Sequence, residues 1–170
     1  MSRLPTQTSH GAQCSVSRRR LLISGAALLG TAGLALAARP SLPLAVSMQD
    51  ELALALAQRQ PLVVMVSLAG CPHCKIVREN YLLPLRARQG QPIVQVDMHG
   101  QWPLRDFHAA GRTHDQMVRQ WGIKLAPTVL FFGRDGAEVA PRLVGSSIPD
   151  FYGAYLDERL AQAQAAVRAR

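Results

Sequence analysis

Short apolar runs along the chain are separated by segments whose apolar positions recur at helical spacing. The run Leu62–Ser67, LVVMVS, is typical of a strand that is buried on both faces. A second run, Ile93–Asp97, reads IVQVD and predicts another short strand. Between them Pro72 opens a helical segment, and we expect Pro84 to stop or bend that helix near Leu83. Two strands joined through a helix predict a right-handed parallel βαβ unit.

Capping residues predict two further helices. Ser47 is a candidate N-cap for a helix from 48 to about 59, with acidic residues in the first turn. Thr113 is a candidate N-cap for a helix over 114–121 that Gly122 would close. The segment 98–112 has no clean period, and we expect a loop with a single helical turn there.

The last third of the chain predicts a hairpin and a long helix. The runs 128–132 and 137–144 are expected to pair as antiparallel strands around an Arg-Asp-Gly turn at 134–136. Pro141 places the second strand at the edge of the sheet, because proline cannot donate a ladder hydrogen bond. A final helix is expected to begin near Ser147. Its apolar stripe, which core packing explains without any ligand, comprises Tyr152, Leu156, Leu160, Ala163 and Val167.

Residues 1–37 have the features of an export signal. Arginines at 18–20 precede a glycine-interrupted apolar run, and an Ala-x-Ala site follows at 35–37. The order Ser-Arg-Arg-x-Leu-Leu resembles a twin-arginine signal, which would imply export of a folded protein. An uncleaved membrane anchor is the alternative, because the run is about long enough to cross a bilayer. In either case the rest of the chain is expected outside the cytoplasm, in the periplasm.

Removing this signal lowers the net positive charge of the chain. The chain carries 19 Lys and Arg against 11 Asp and Glu, but four of the arginines lie within 1–37. The remaining basic residues are scattered, without the clustered stripe that nucleic-acid binding requires. What remains is long enough for one domain, predicted at 47–170, preceded by an extended linker at 38–46 that contains Pro40 and Pro43.

The chemistry is expected at the start of the helix that follows the first strand. Cys14 leaves with the signal, so the mature chain keeps only Cys71 and Cys74, separated by Pro72 and His73. Cys71 would lie at a helix N-terminus, where backbone N–H groups stabilise a thiolate, the nucleophile of disulfide exchange. A charged His73, or its ring N–H, could stabilise the same thiolate.

The cysteines allow two other interpretations. An inert structural disulfide would close a very short loop and add little stability. A copper or zinc site would combine both cysteines with a histidine, chosen among His73, His99, His108 and His114. Two cysteines supply only half of the ligands that a structural zinc ion normally takes, so we predict no metal. A metal carrier would bind one equivalent of copper or zinc and protect both thiols.

The order of these elements, with Cys-x-x-Cys opening the helix after the first core strand, resembles the thioredoxin superfamily over roughly 47–167. The matching residues are the Gly-Cys-Pro-His-Cys run at 70–74, the Ala-Pro-Thr run at 126–128, the Asp-Gly turn at 135–136 and Gly145. The resemblance implies an α/β thioredoxin fold, with a central mixed β-sheet flanked by helices. Within the superfamily the chain is most similar to small exported thioredoxin-like proteins of bacteria.

The resemblance also implies roles for individual residues. Cys71 would attack a partner's disulfide and Cys74 would resolve the mixed disulfide, within a catalytic motif of Cys71, Pro72, His73 and Cys74. Pro127 corresponds to the family's cis-proline, which faces the disulfide, and Ala126 would offer backbone to an extended substrate segment. The implied substrate-binding residues are therefore Ala126, Pro127 and Thr128.

Two positions depart from the family pattern. Gly70 stands where thioredoxins carry a tryptophan, and Met65 stands where thioredoxins bury an aspartate that helps to deprotonate the resolving thiol. The sequence therefore shows no residue that would accept the proton of the Cys74 thiol. The segment 98–112 is longer than a minimal thioredoxin needs, and our hypothesis is that it lies near the cysteines and helps to choose the partner.

Together these features predict an extracytoplasmic thiol-disulfide oxidoreductase that needs no cofactor beyond its cysteine pair. Its partners would be the thiols and disulfides of exported client proteins, together with a membrane or periplasmic redox partner. The Cys-Pro-His-Cys motif is also that of the oxidising DsbA-like proteins. However, only 52 residues separate Cys74 from Pro127, so the helical insertion of those oxidases is absent. We therefore favour a reductase, with a disulfide oxidase or isomerase as the alternative.

Overall fold

The computed structural model of the chain describes residues 41–146 and 149–169. The predicted signal at 1–37 and the predicted start of the last helix at Ser147 lie outside these residues. The elements, in chain order, are α1 Met48–Ala57, β1 Leu62–Ser67, α2 Pro72–Val77, a π-helical turn Arg78–Leu82, α3 Leu83–Gln89, β2 Ile93–Asp97, β3 Pro103–Arg105, β4 Gly111–Thr113, α4 His114–Gln120, β5 Thr128–Phe132, a 3-10 turn Arg134–Gly136, β6 Glu138–Val144 and α5 Pro149–Arg168.

The central sheet has the strand order β2-β1-β5-β6 and is mixed. Strands β1 and β2 are parallel, with Val64 opposite Val94, as the predicted βαβ unit requires. Strand β5 runs antiparallel to both β1 and β6, so the predicted C-terminal hairpin is confirmed. Pro141 lies in β6, the edge strand, where its missing N–H interrupts no interior ladder. The predicted α/β thioredoxin fold is confirmed.

Alternating side chains of β1 divide the core into two layers. Val63 and Met65 pack with Cys74 on one side of the sheet, under α2, α3 and α5, and we call this side the cysteine face. Val64 and Val66 pack on the opposite face, under α1 and α4. Every residue of β1 is buried, as predicted for a strand covered on both sides.

The end of the predicted linker is part of the folded domain, so the boundary at 47 is wrong. Leu42 and Ala45 are only 3% and 1% exposed. The backbone N–H of Gln95 donates to the carbonyl of Pro43 at 2.8 Å, and that of Ala45 donates to the carbonyl of Gln95 at 2.9 Å. These bonds satisfy part of the open edge of β2, which explains why the segment is ordered against the sheet.

Of the predicted stop or bend near Leu83, the stop is wrong: Pro84 does not end the helical segment, although the α-helical pattern is interrupted just before it. It occupies the first turn of α3, directly after the π-helical turn Arg78–Leu82. A first-turn position needs no N–H donor, and the wider π turn accommodates the proline ring. The segment continues to Gln89 and ends at Gly90, whose φ of 64° is the left-handed cap conformation.

The segment predicted as a loop at 98–112 contains a two-stranded hairpin. Strands β3 and β4 pair antiparallel, with Leu104 opposite Arg112. In the loop between them, Oδ1 of Asp106 accepts the backbone N–H groups of His108 at 2.8 Å and Ala110 at 2.9 Å. Three-residue strands are too short to show a clear alternation of apolar and polar positions, which is why the sequence pattern did not reveal them.

This hairpin packs on the face of the sheet opposite the cysteines, so most of the segment 98–112 does not lie near them as hypothesised. Its role in choosing the partner stays a prediction. Leu104 and Phe107 join the core of the opposite face, and the rings of Phe107 and Phe132 lie 4.8 Å apart. Only the beginning of the segment reaches the strand end near the cysteines, where the N–H of Met98 donates to the carbonyl of Ser67 at 2.8 Å.

The remaining helix predictions are confirmed. Thr113 and Gln116 form a reciprocal capping box at the start of α4. Helix α5 buries the predicted apolar stripe. Among the helices of the described segments, none combines the length and apolar content needed to cross a bilayer.

Candidate active site

Cys71 closes the loop after β1 and caps the N-terminus of α2. Gly70 turns the chain with a φ of 72°, and the N–H of Cys71 donates to the carbonyl of Leu68 at 3.3 Å. The sulfur of Cys71 accepts the backbone N–H of Cys74 at 3.1 Å, while Pro72 fills the first turn. The half-exposed Cys71 thiol therefore stands where a free N–H stabilises negative charge on sulfur.

Cys74 lies beneath it and is fully buried on the cysteine face, beside Met65 and Val129. Both thiols are free, so this is the reduced state. Burial raises the pKa of the Cys74 thiol above its ordinary value of 9.0, and the hydrogen bond with Cys71 raises it further. Hydrogen bonds from the Leu68 backbone and the Ser67 hydroxyl offset part of this rise. The two cysteines thus differ in exposure, and the buried one has a raised pKa.

Of the predicted substrate-binding residues, Ala126 lies on the cysteine face, whereas the side chain of Thr128 points to the opposite face, as does that of its register partner Val66. The peptide bond between Ala126 and Pro127 is cis. Ala126 packs against the apolar cluster that also contains Cys74 and borders Cys71. The carbonyl of Pro127 accepts the N–H of Gly145 at 2.7 Å, and Thr128 is buried with its hydroxyl bonded to the Leu125 carbonyl at 2.7 Å.

A hydrogen bond of His73 connects the cysteine motif to the strand end beside the loop that contains Pro127. Its Nδ1 lies 3.0 Å from the hydroxyl of Ser146, which directly follows Gly145, the partner of Pro127. The side chain of His73 is exposed. Since Nδ1 is engaged by Ser146, any effect on the Cys71 thiolate would come from the ring's charge or from Nε2. That role of His73 stays a prediction.

The other candidate metal-binding histidines are separated by the fold. His114 is fully buried, its Nδ1 accepts the N–H of Asp97 at 3.0 Å, and its Nε2 lies 2.8 Å from the Ala45 carbonyl. Nε2 must carry the proton, and both nitrogens are used by backbone groups. His99 lies 4.0 Å from Asp115. Over 41–146 and 149–169, no three His, Cys, Asp or Glu side chains converge as a metal site.

Two polar residues beside Cys74 escaped the sequence analysis. Ser67 is 2% exposed at the end of β1, and Nη1 of Arg78 lies 3.4 Å from its hydroxyl and 2.7 Å from Oε1 of Gln95. A signal for them exists in the sequence, because Ser67 is the only polar residue of its strand and Arg78 follows Cys74 by one helical turn.

Comparison with known proteins agrees with this geometry. A family model described as a thioredoxin-like domain matches residues 48–159, well over half of the chain. No curated protein matches the chain significantly.

Several solved structures are similar to the chain at low sequence identity. A thioredoxin pre-protein of Schistosoma mansoni is 18% identical, with a TM-score of 0.46, over 71% of this chain and 99% of its own. Mitochondrial thioredoxin 3 of Saccharomyces cerevisiae is 15% identical, with a TM-score of 0.47, over 71% and 93%. The periplasmic thioredoxin SoxS of Paracoccus pantotrophus is 18% identical, with a TM-score of 0.41, over 61% and 99%.

The match at residues 48–159 spans both the Cys-x-x-Cys pair at the start of α2 and the cis-proline loop before β5. The chain therefore belongs to the thioredoxin-like domain family, as an oxidoreductase with a Cys-x-x-Cys pair.

Proposed function

We propose that this protein is an extracytoplasmic thiol-disulfide reductase that keeps the thiols of exported client proteins reduced. The thiolate of Cys71 attacks a client disulfide and forms a mixed disulfide. Cys74 then attacks the sulfur of Cys71 and releases the client thiol. The cysteine pair itself carries the two electrons, so the reaction needs no further cofactor.

One observation carries this proposal: a half-exposed Cys71 whose sulfur accepts an N–H bond stands directly above a fully buried Cys74. An exposed attacking sulfur suits a bulky protein disulfide, whereas the buried second thiol is shielded from a client protein and lies next to the sulfur that would hold the client. The loop at Ala126 and Pro127 supports the client interaction, because it borders the same apolar cluster as Cys71.

The direction of transfer follows from how far the reduced pair is stabilised. A strong oxidant requires a reduced form held as a low-pKa thiolate. Here Nδ1 of His73 is engaged by Ser146 rather than by the Cys71 sulfur, and only 52 residues separate Cys74 from Pro127, without room for the oxidase insertion, which supports a reductase. The predicted export signal at 1–37 supports action outside the cytoplasm, where a second redox protein would restore the reduced pair.

Reduction of insulin disulfides in the presence of dithiothreitol tests the activity. We expect the protein to accelerate this reduction and Cys71→Ser to abolish the acceleration. Equilibration with glutathione buffers then gives the potential of the pair, expected near the thioredoxin value of about −270 mV.

A potential near the DsbA value of about −120 mV would overturn the direction in favour of a disulfide oxidase. A protein that binds one equivalent of copper or zinc, protects both thiols and reduces no insulin would overturn the activity itself.

A further inference from the structure

We propose that Ser67 and Arg78 act as positioning residues that prepare Cys74 to attack, in place of the buried carboxylate that this chain lacks. The inference rests on the proposed function, because it concerns the resolving step of the same exchange. The Ser67 hydroxyl stabilises negative charge on the Cys74 sulfur, and Arg78 orients that hydroxyl.

The sheet places these residues on the cysteine face. Ser67 follows Met65 by two positions in β1, so both side chains point to the face that contains Cys74. On the neighbouring strand, Gln95 and Asp97 share a face with Ile93, which belongs to the same cluster. The apolar layer under α2 therefore ends in a group of polar side chains at the carboxyl ends of β1 and β2, namely Ser67, Gln95 and Asp97.

Hydrogen bonds connect this group into a chain that ends at Ser67, beside the cysteine. Nε2 of Gln95 donates to Asp97 Oδ1 at 3.4 Å, and Gln95 Oε1 accepts Nη1 of Arg78 at 2.7 Å. The same Nη1 donates to the Ser67 hydroxyl at 3.4 Å. Ser67 also lies on the same face of β1 as the Cys74 side chain, and, after the Leu68 backbone, its hydroxyl is the second group that lowers the pKa of that thiol.

The direction of the Ser67 hydroxyl hydrogen follows from what each group can donate. A guanidinium has no acceptor, so Arg78 must occupy a lone pair of the Ser67 oxygen. The single hydroxyl hydrogen is then left for the Cys74 sulfur. A donor pointing at sulfur stabilises the thiolate over the thiol, and the guanidinium polarises that donor. Met65, at the position of the thioredoxin aspartate, can neither donate a hydrogen bond to the sulfur nor polarise a donor.

In the resolving step the Cys74 thiol meets the mixed disulfide between Cys71 and the client. A new bond forms between the sulfurs of Cys74 and Cys71, and the bond between Cys71 and the client sulfur breaks. The client sulfur leaves with the electron pair of the broken bond and takes the proton that Cys74 gives up. The step needs no other oxidant, reductant or co-reactant.

Other titratable groups around Cys74 do not supply this function. Cys71 is consumed in the mixed disulfide at this stage. The Tyr152 hydroxyl is buried without a hydrogen-bond partner among the described residues, and burial followed by the influence of Tyr81 and Cys74 raises its pKa, so it stays neutral. Asp97 is the register partner of Ser67, but its carboxylate accepts a hydrogen bond from Gln95 and is not among the groups that shift the pKa of Cys74.

The test is the pH dependence of Cys74 reactivity in the full chain carrying Cys14→Ser and Cys71→Ser, so that Cys74 is the remaining thiol. It is measured as the rate of alkylation by the small reagent iodoacetamide. We expect Ser67→Ala and Arg78→Met each to slow alkylation at neutral pH by about tenfold, the change in thiolate fraction expected from one lost charge-stabilising bond. Ser67→Thr retains a hydroxyl and should restore the rate. The matched control is Arg88→Met, which removes an exposed guanidinium from α3 and should leave the rate unchanged.

A second readout separates this inference from the proposed function. With Cys71 intact, Ser67→Ala should leave the initial attack on insulin unchanged and slow release of the mixed disulfide. Equal release and alkylation rates in wild type and Ser67→Ala would overturn the positioning role while leaving the oxidoreductase assignment standing. Absence of insulin reduction by the wild type would instead overturn the proposed function.

Discussion

The two cysteines owe their different behaviour to a separation of only three positions at the start of a helix. Cys71 lies in the cap, where its sulfur meets a backbone N–H, and Cys74 lies one turn into the core. The sequence was sufficient to predict this pair and the buried Met65. It could not predict the contact between Ser67 and Arg78, since that contact depends on how the π-helical turn lies over the strand.

At the scale of single residues, the raised pKa of Cys74 leads to a prediction about how the free energy of unfolding depends on pH. Because the folded pKa exceeds that of the unfolded thiol, burial of the neutral Cys74 stabilises the reduced protein fully below about pH 9. The stabilisation is lost as pH rises through the folded pKa. We therefore expect the free energy of unfolding of the reduced protein to fall above pH 9 more steeply than that of Cys74→Ala, as measured by urea denaturation. Parallel pH profiles for the two proteins would contradict the burial argument.

At the scale of elements, β1 and β2 could be predicted because each is an apolar run with flanking turn residues. The hairpin β3–β4 could not, because its strands are short and several of the bonds that hold it lie in its loop. Asp106 is 4% exposed, and its carboxylate accepts two backbone N–H groups and lies 3.4 Å from Nε of Arg112. The π turn before Pro84 likewise depends on packing that no local pattern shows.

Asp106 is accordingly predicted to stabilise the hairpin. Burial alone would raise its pKa, but the N–H bonds of His108 and Ala110 and the charge of Arg112 outweigh burial and lower it. This stabilisation is present above the unfolded pKa near 3.8 and is lost as pH falls through the folded pKa. Asp106→Ala should cost about 1–3 kcal/mol of unfolding free energy at neutral pH.

Thermal and urea unfolding at neutral and acidic pH measure this cost. Asp157→Ala, an exposed change on α5, is the control and should have little effect. A cost for Asp106→Ala that does not shrink toward acidic pH would show that the carboxylate charge is not the cause.

At the scale of the whole molecule, the order of elements predicted the fold class, but the domain boundary was placed too late. Pro40 and Pro43 gave the segment before Ser47 the composition of a linker. The fold instead uses Leu42 and Ala45 to cover one edge of the sheet, and the Ala45 carbonyl binds the buried His114. This docking depends on residues about 50 positions away in the sequence, beyond the reach of any local pattern.

The central claim is that Cys71 forms a covalent link to a client and that Cys74 releases it. The most direct measurement is intact mass spectrometry of Cys74→Ser after incubation with insulin, whose disulfides serve as the probe, without added reductant. We predict a stable adduct joined through Cys71, absent when Cys71 is also replaced by serine and not accumulating in the wild type. Failure of Cys74→Ser to form any adduct, while its Cys71 still reacts with iodoacetamide, would contradict the account.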